Sequence, residues 1–204
     1  MIEIITGLPG FGKTLTASRW ALKKMKKGKK VYANYPLQGA EYFSDILQVL
    51  GKVENALIVV DEAGIVFDQL TMYSTPPQTW MELRQHRKDG VDLLLTAQSP
   101  HDVAYPLRRL IQFEYNIFFK FDRFVTVTCR NPQRGGDNYG KRLWYLSPSL
   151  FGKYDTKHKV ALEKAQETQG EAPMTSDRFE WYRNIQESML LEAADGLAAS
   201  LVKR

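Results

Sequence analysis

The chain has 204 residues, enough for one domain of ordinary size with an appendage and a substantial buried core. Its 44% hydrophobic and 25% charged content is that of a soluble globular protein and excludes a disordered or fibrous class, while the net charge of +5 suits a polyanionic partner. The single Cys129 excludes an internal disulfide and fits a reducing compartment. The first residues, Met1-Ile2-Glu3-Ile4, lack the basic start of a secretory signal. No run approaches the roughly 18 to 20 apolar residues of a membrane span, so the expected location is the cytoplasm.

Ile2 to Thr6 reads as a strand that runs into Gly7-Leu8-Pro9-Gly10-Phe11-Gly12-Lys13-Thr14. That octet fits G-x-x-x-x-G-K-[ST], the phosphate-binding loop of P-loop nucleotidases. Gly7, Gly10 and Gly12 allow the backbone turns that let successive N–H groups converge on phosphate oxygens. A helix beginning near Lys13 adds the positive end of its dipole. Lys13 then reaches the β- and γ-phosphates of ATP, and the Thr14 hydroxyl ligates Mg²⁺. With Leu15, the stretch 7–15 is the expected nucleotide-binding segment.

Leu15 to Lys27 reads as a helix with apolar positions at Leu15, Ala17, Trp20, Ala21 and Met25. Its basic end, Lys23 to Lys30 around Gly28, is either an ordinary stop signal or a patch for nucleic acid or lipid. Lys30 to Tyr35 reads as a second strand ended by Pro36. Glu41 to Leu50 has helical spacing of Tyr42, Phe43, Ile46, Leu47 and Leu50, with Gly51 as its stop.

Ala56-Leu57-Ile58-Val59-Val60 is a continuous apolar run, the mark of a strand covered on both faces in a parallel sheet. Asp61 and Glu62 follow at its carboxyl end, the edge where open α/β sheets bind ligands. Asp61 suits a role in holding Mg²⁺ and Glu62 that of a general base on the attacking water. Taken without the glycine loop, the pair would be no more than charges closing a strand. Pro76 to Lys88 is a predicted helix, and Val91 to Ala97 is the next buried strand. Gln98 at its tip is placed to contact the γ-phosphate or the attacking water, or simply opens a loop.

Beyond residue 110 the pattern changes. Ile111 to Phe121 and Phe124 to Arg130 are aromatic and β-branched runs separated by Asp122-Arg123, a hairpin arrangement that makes Cys129 a plain strand residue. Phe118, Phe119, Phe121 and Phe124 stand near Lys120 and Arg123, which would suit base stacking, but their alternation favours core packing. Asn131 to Gly140 reads as a loop and Lys141 to Leu146 as a strand. Residues 157–175 read as a polar linker. Residues 176–204 read as an amphipathic helix capped by Ser176 or Asp177, with Phe179, Tyr182, Ile185, Met189, Ala193, Leu197 and Leu201 on one face.

Together these pieces resemble the N-terminal ATPase domain of the zonula occludens toxin family, which includes the gene I assembly proteins of filamentous phages. The residues that carry the likeness are Gly7 to Thr14, Val31-Tyr32-Ala33-Asn34, Val59 to Ala63, Arg84-Gln85-His86-Arg87, Leu94 to Pro100 and Tyr154-Asp155-Thr156. The resemblance implies an α/β P-loop NTPase domain over residues 1–156, similar to the FtsK/HerA and RecA branches. Its mainly parallel sheet would be flanked by helices, with an antiparallel hairpin extension and a C-terminal helix. It implies an Mg²⁺-dependent ATPase that drives export or packaging of phage DNA during virion assembly, working as a ring-like homo-oligomer, a hexamer, with phage assembly or capsid proteins. It also implies an arginine finger reaching a neighbour's ATP. Arg84, Arg87, Arg108 and Arg109 are candidates, and spacing does not choose among them. Family members usually continue into a membrane span and an outer domain, which would put the protein at the inner face of the membrane through a partner or a further segment.

Two other classes fit parts of the pattern. A small-molecule P-loop kinase would need a mobile arginine-bearing lid, for which only Arg130 to Arg142 offers itself. A nucleotide-switched assembly or membrane-docking module would use the basic run at Lys23 to Lys30 and the terminal amphipathic stripe.

Overall fold

A computed structural model of the protein describes residues 1–154 apart from 71, 74, 135, 136, 148, 149 and 151. Asp155, Thr156, the polar linker and the C-terminal amphipathic helix expected from sequence lie outside the described residues. Strands β1 (Ile2–Gly7), β2 (Lys30–Ala33), β3 (Glu41–Tyr42), β4 (Ala56–Val60), β5 (Asp92–Thr96), β6 (Phe113–Phe121), β7 (Phe124–Asn131) and β8 (Asp137–Tyr145) form one sheet in the order β3-β2-β4-β5-β1-β6-β7-β8. All pairs are parallel up to β1–β6, and the β6-β7-β8 end is antiparallel. The glycine-loop strand β1 therefore sits near the middle, with β5 on one side and β6 on the other.

The near-continuous apolar strands supply two cores, one on each face, as a parallel sheet covered on both sides requires. On one face Ile2, Ile4, Ile58, Val60, Leu93 and Leu95 pack with Phe43, Phe67, Leu83 and Leu107. On the other, Ile5, Leu57, Val59 and Leu94 pack with Leu15, Ala17 and Ala21 of helix α1 (Lys13–Met25). Helices α2 (Ala63–Val66), α3 (Pro77–Gln85) and α4 (Tyr105–Arg108) are short. None of the described helices is long and apolar enough to cross a membrane.

The basic end of α1 is partly spent inside the fold. Lys29 and Lys24 lie 2.6 and 3.5 Å from Asp92 Oδ2, and the terminal amine donates to Asp92 Oδ1 at 2.9 Å. Burial alone would raise the Asp92 carboxyl, but the Lys29 and N-terminal hydrogen bonds and charges prevail and hold it at about 2.

Three local expectations are corrected. Glu41 to Leu50 is not a helix: Glu41–Tyr42 adds an edge strand beside β2, and only Ile46–Gln48 forms a 3₁₀ turn. Phe43 N–H donates to Ala33 O at 3.1 Å, which prolongs the ladder, and the Asp45 side chain then accepts from Leu47 N–H at 2.9 Å, which starts the turn. Phe43, Ile46, Val49 and Leu50 still reach the core, so helical spacing was met by a tighter chain path. The loop expected over 131–140 is shorter than that: Pro132–Arg134 forms a 3₁₀ turn, and β8 begins at Asp137, opposite Asn131, and pairs back along β7.

The third correction concerns the aromatic run. Phe118, Phe119, Phe121 and Phe124 are 45, 55, 71 and 43% exposed, not core. Alternation does place Ile117, Val125 and Val127 against α1's core. Among the described residues no helix covers the opposite face of this end of the sheet, where the register aligns Phe121, Phe124 and Tyr145. Cys129 is a buried, unbridged residue of β7, as expected.

Candidate functional site

Gly7 closes β1 with φ +144°, and a Cβ there would stand 2.5 Å from the Ile117 carbonyl oxygen of β6. Only glycine lets the two strands come this close while the chain leaves the sheet. Gly7 N–H donates to Gln98 O at 3.2 Å, which ties the start of the loop to the tip of β5. At the other end Gly12, with φ +83°, caps α1 so that the helix opens at Lys13. Leu146, arriving after β8, packs directly on Gly12.

A cleft of about 560 Å³ opens at this carboxyl edge. Its walls include Pro9, Gly10, Gly12, Lys13, Thr14 and Leu15 from the loop and α1, Asp61 and Glu62 after β4, and Thr96 and Gln98 from β5. The sequence-predicted loop, acidic pair and Gln98 are therefore brought together. Gly7 lies beneath the loop as its anchor, Leu8 points to solvent at 64% exposure, and Phe11 packs against the α1 core.

Lys13 Nζ donates to the carbonyls of Gly7 at 2.9 Å and Leu8 at 3.1 Å, which folds it over its own loop. Burial lowers the ammonium below its ordinary value, and the charges of Asp61 and Glu62 act the other way. The Thr14 hydroxyl donates to the Asp61 carboxylate, 3.1 Å from each oxygen. Burial pushes the Asp61 carboxyl up; hydrogen bonds from Thr96 and Thr14 and the Lys13 charge pull it back.

Asp61 is held from two further sides that sequence reasoning had not singled out. Asn34, buried at the end of β2, accepts from Asp61 N–H at 2.7 Å and donates to Asp61 O at 3.0 Å. Thr96 Oγ1 donates to Asp61 Oδ1 at 2.5 Å and accepts from Glu62 N–H at 3.0 Å, so one hydroxyl spans both acids. Glu62 itself is exposed to the cleft at φ 50°, ψ 52°, a left-handed conformation that a residue with a Cβ adopts at a cost of roughly 1 to 3 kcal/mol. Both residues stand at strand ends on the binding edge, a position that sequence shows, but their hold on Asp61 depends on neighbouring strands.

Oxygen donors from Thr14 and Asp61 fit Mg²⁺, a hard ion that takes one or two protein ligands and completes its shell with phosphate and water. Among the described residues no three His, Cys, Asp or Glu side chains converge to cage a metal by themselves. Behind this pair, Ser18 donates to Thr14 O at 2.8 Å and shares a 2.9 Å hydrogen bond with Tyr35 OH. Burial raises the Tyr35 phenol, which stays protonated. A bridge between Leu37 and Tyr154 returns the chain to this edge and brings Tyr154 to the cleft wall.

The arginines divide. Arg84 in α3 and Arg87 just after it are exposed and do not line the cleft of their own chain. Arg108 donates to His101 Nδ1 at 2.6 Å and to Gln69 Oε1 at 3.1 Å, and Arg109 lies over the Tyr105 ring. Besides Lys13, the cations that reach the cleft are Lys120 and Arg123 at the β6–β7 tip, with Asp122 between them. Their aromatic neighbours drew attention to the tip in the sequence, but nothing there showed that it returns to the glycine loop. The stretch Arg130 to Arg142, needed as a lid by a kinase, is mostly strand.

Comparison with known proteins agrees with this geometry. The solved N-terminal domain of zonular occludens toxin from Neisseria meningitidis is similar to this chain with a TM-score of 0.58 and 24% identity, over 76% of this chain and 98% of that one. The genome packaging NTPase B204 from Sulfolobus turreted icosahedral virus 2, in complex with ATP-gammaS, matches with a TM-score of 0.50 and 10% identity over 72% of this chain and 98% of that one. The same protein in complex with sulfate matches at 0.51 and 11%, over 70% and 94%. These likenesses show the P-loop NTPase fold. No curated protein matches the chain. The model of the family described as Zonular occludens toxin (Zot) matches residues 38–156, more than half of the sequence and including Asp61, Glu62 and Gln98, so the chain belongs to the zonular occludens toxin family.

Proposed function

We propose that the protein is an Mg²⁺-dependent ATP hydrolase whose cycle moves phage DNA during virion assembly. The observation that carries the hydrolytic reading is the Thr14–Asp61 contact beside Glu62. It puts a metal-holding pair and a free carboxylate on the same edge as the phosphate loop. In this reading the loop N–H groups and Lys13 hold the polyphosphate. Glu62 accepts a proton from the water that attacks the terminal phosphorus, and the bond to the β–γ bridging oxygen breaks to release ADP. Gln98 positions that water or the phosphate it attacks. Thr14 and Asp61 would hold Mg²⁺, which would supply charge neutralisation of the phosphates.

Membership of the zonular occludens toxin family and the likeness to the genome packaging NTPase B204 support the DNA cargo, whether exported or packaged. In this reading residues 1–156 act as the ATPase domain. The working unit is a ring-like homo-oligomer, a hexamer, in the host cytoplasm at the inner face of the membrane, engaged with phage assembly or capsid proteins. Arg84, Arg87, Arg108 and Arg109 all lie outside the cleft of their own chain, and in this reading one of them serves a neighbour's ATP.

Phosphate release measured with and without single-stranded and duplex DNA tests this. Magnesium-dependent turnover, stimulated by one form of DNA and lowered about 10²- to 10⁴-fold by Glu62→Gln, is expected. Absence of turnover in the assembled protein, with Glu62→Gln indistinguishable from the parent, would overturn it.

A further inference from the structure

We propose that the tip of the β6–β7 hairpin is an arm of the nucleotide site belonging to the same chain, with Lys120 and Arg123 binding the phosphates nearest the nucleoside. The proposal rests on the nucleotide reading of the glycine loop and goes beyond it by assigning two cations outside any phosphate-loop motif.

Lys120 Nζ donates to the Gly10 carbonyl at 2.8 Å, across 110 positions of sequence, and both Lys120 and Arg123 line the cleft. Among the described residues neither is ion-paired with a carboxylate. The arm is braced rather than loose. Phe121 pairs with Phe124 across a two-residue turn, in which Asp122 takes φ 49°, a conformation Asp tolerates better than most residues. Arg123 O accepts from Leu146 N–H at 2.7 Å, Leu146 packs on Gly12, and Arg19 of α1 donates to Tyr145 O at 2.9 Å.

Topology decides which phosphates the arm meets. Asp61, Glu62 and Gln98 follow β4 and β5, on one side of β1; the hairpin belongs to β6 and β7, on the other. With the terminal phosphate facing Glu62 and Gln98, as the proposed hydrolysis requires, the α- and β-phosphates lie toward the hairpin. A phosphate oxygen is a stronger acceptor for an ammonium than a carbonyl, so Lys120 exchanges Gly10 O for phosphate when nucleotide enters.

Titration calorimetry of the full chain with Mg²⁺-ADP and Mg²⁺-ATP tests the assignment. Lys120→Ala and Arg123→Ala are each expected to weaken both nucleotides about tenfold, the loss of a charged hydrogen bond, with the ATP-to-ADP affinity ratio unchanged. Both side chains are exposed, and thermal unfolding of the variants should match the parent. Unchanged affinity in both variants overturns the proposal, as does a loss confined to ATP, which would move the cations to the terminal phosphate. Lys13→Ala separates the two levels. If it abolishes binding while the hairpin variants bind like the parent, the hairpin assignment alone falls. If the parent binds neither nucleotide, the glycine-loop reading falls and takes this one with it.

Discussion

The Thr14 hydroxyl lies 3.1 Å from each carboxylate oxygen of Asp61, although 47 positions separate the two residues. The contact joins the first turn of α1 to the end of β4, with β5 between β4 and the glycine-loop strand. It also places an acceptor-rich carboxylate in a partly buried setting that raises its pKa, where a nearby cation would favour the charged form.

Asp61→Asn keeps the shape of this contact and removes its charge. Nucleotide affinity in EDTA should stay within about threefold of the parent, while the gain on adding Mg²⁺ disappears and turnover falls about 10²-fold or more. Titration of ATP with and without the metal checks this, and a variant that retains the full Mg²⁺ gain would contradict the assignment.

Thr96→Val removes the hydroxyl that spans Asp61 and Glu62. The isosteric change leaves Glu62 N–H without its acceptor and frees the left-handed backbone at Glu62. Turnover should fall about tenfold, the Mg²⁺ concentration giving half-maximal rate should rise, and nucleotide affinity in EDTA should not move. Equal losses in metal-free binding would show that Thr96 matters only to the fold.

Gly7→Ala puts a methyl group 2.5 Å from the Ile117 carbonyl, which belongs to backbone and cannot swing aside. Destabilisation of about 2 kcal/mol or more is expected, read as a fall in the denaturant midpoint. Gly12→Ala meets instead the flexible end of Leu146 and should destabilise less, while still weakening nucleotide binding because it alters the entrance to α1.

Acid should destabilise the protein in two stages. His86 is buried at the end of α3, with Nδ1 against Leu83 O at 2.7 Å, and burial lowers its pKa from the ordinary 6.5. The folded state holds it neutral, so its contribution is full above pH 6.5 and declines as the unfolded chain takes up a proton below that. Asp92 is depressed from 3.8 to about 2, so its contribution is full above the unfolded value and is lost as pH falls from about 4 toward 2. The second stage amounts to about 2 kcal/mol at most. Urea midpoints across pH 8 to 2 should show both declines; Asp92→Asn should remove the lower one.

What could be read in advance followed the range of the interactions. The glycine loop, the acidic pair after β4 and Gln98 after β5 were legible because each is a local motif at a strand end. Thr96 and Asn34 are equally local in sequence but bear on the site only through strands laid side by side. Lys120 and Arg123 depended on β6 pairing with β1, a neighbour more than a hundred residues away. The exposed phenylalanines were misjudged because alternation says which residues share a face and not whether anything covers it. Glu41 to Leu50 was misjudged because core contacts at helical intervals were made by a strand and a tight turn.

The central place of β1 also sets an order of events during synthesis. β1 leaves the ribosome before either partner and can pair with neither side until β5 and β6 exist, at residues 92–96 and 113–121. The cleft wall at Leu146 and Tyr154 comes later still. A nascent chain therefore exposes its phosphate loop long before it can use it, and nucleotide capture reports that synthesis has passed Tyr154 and that the later strands have closed around β1.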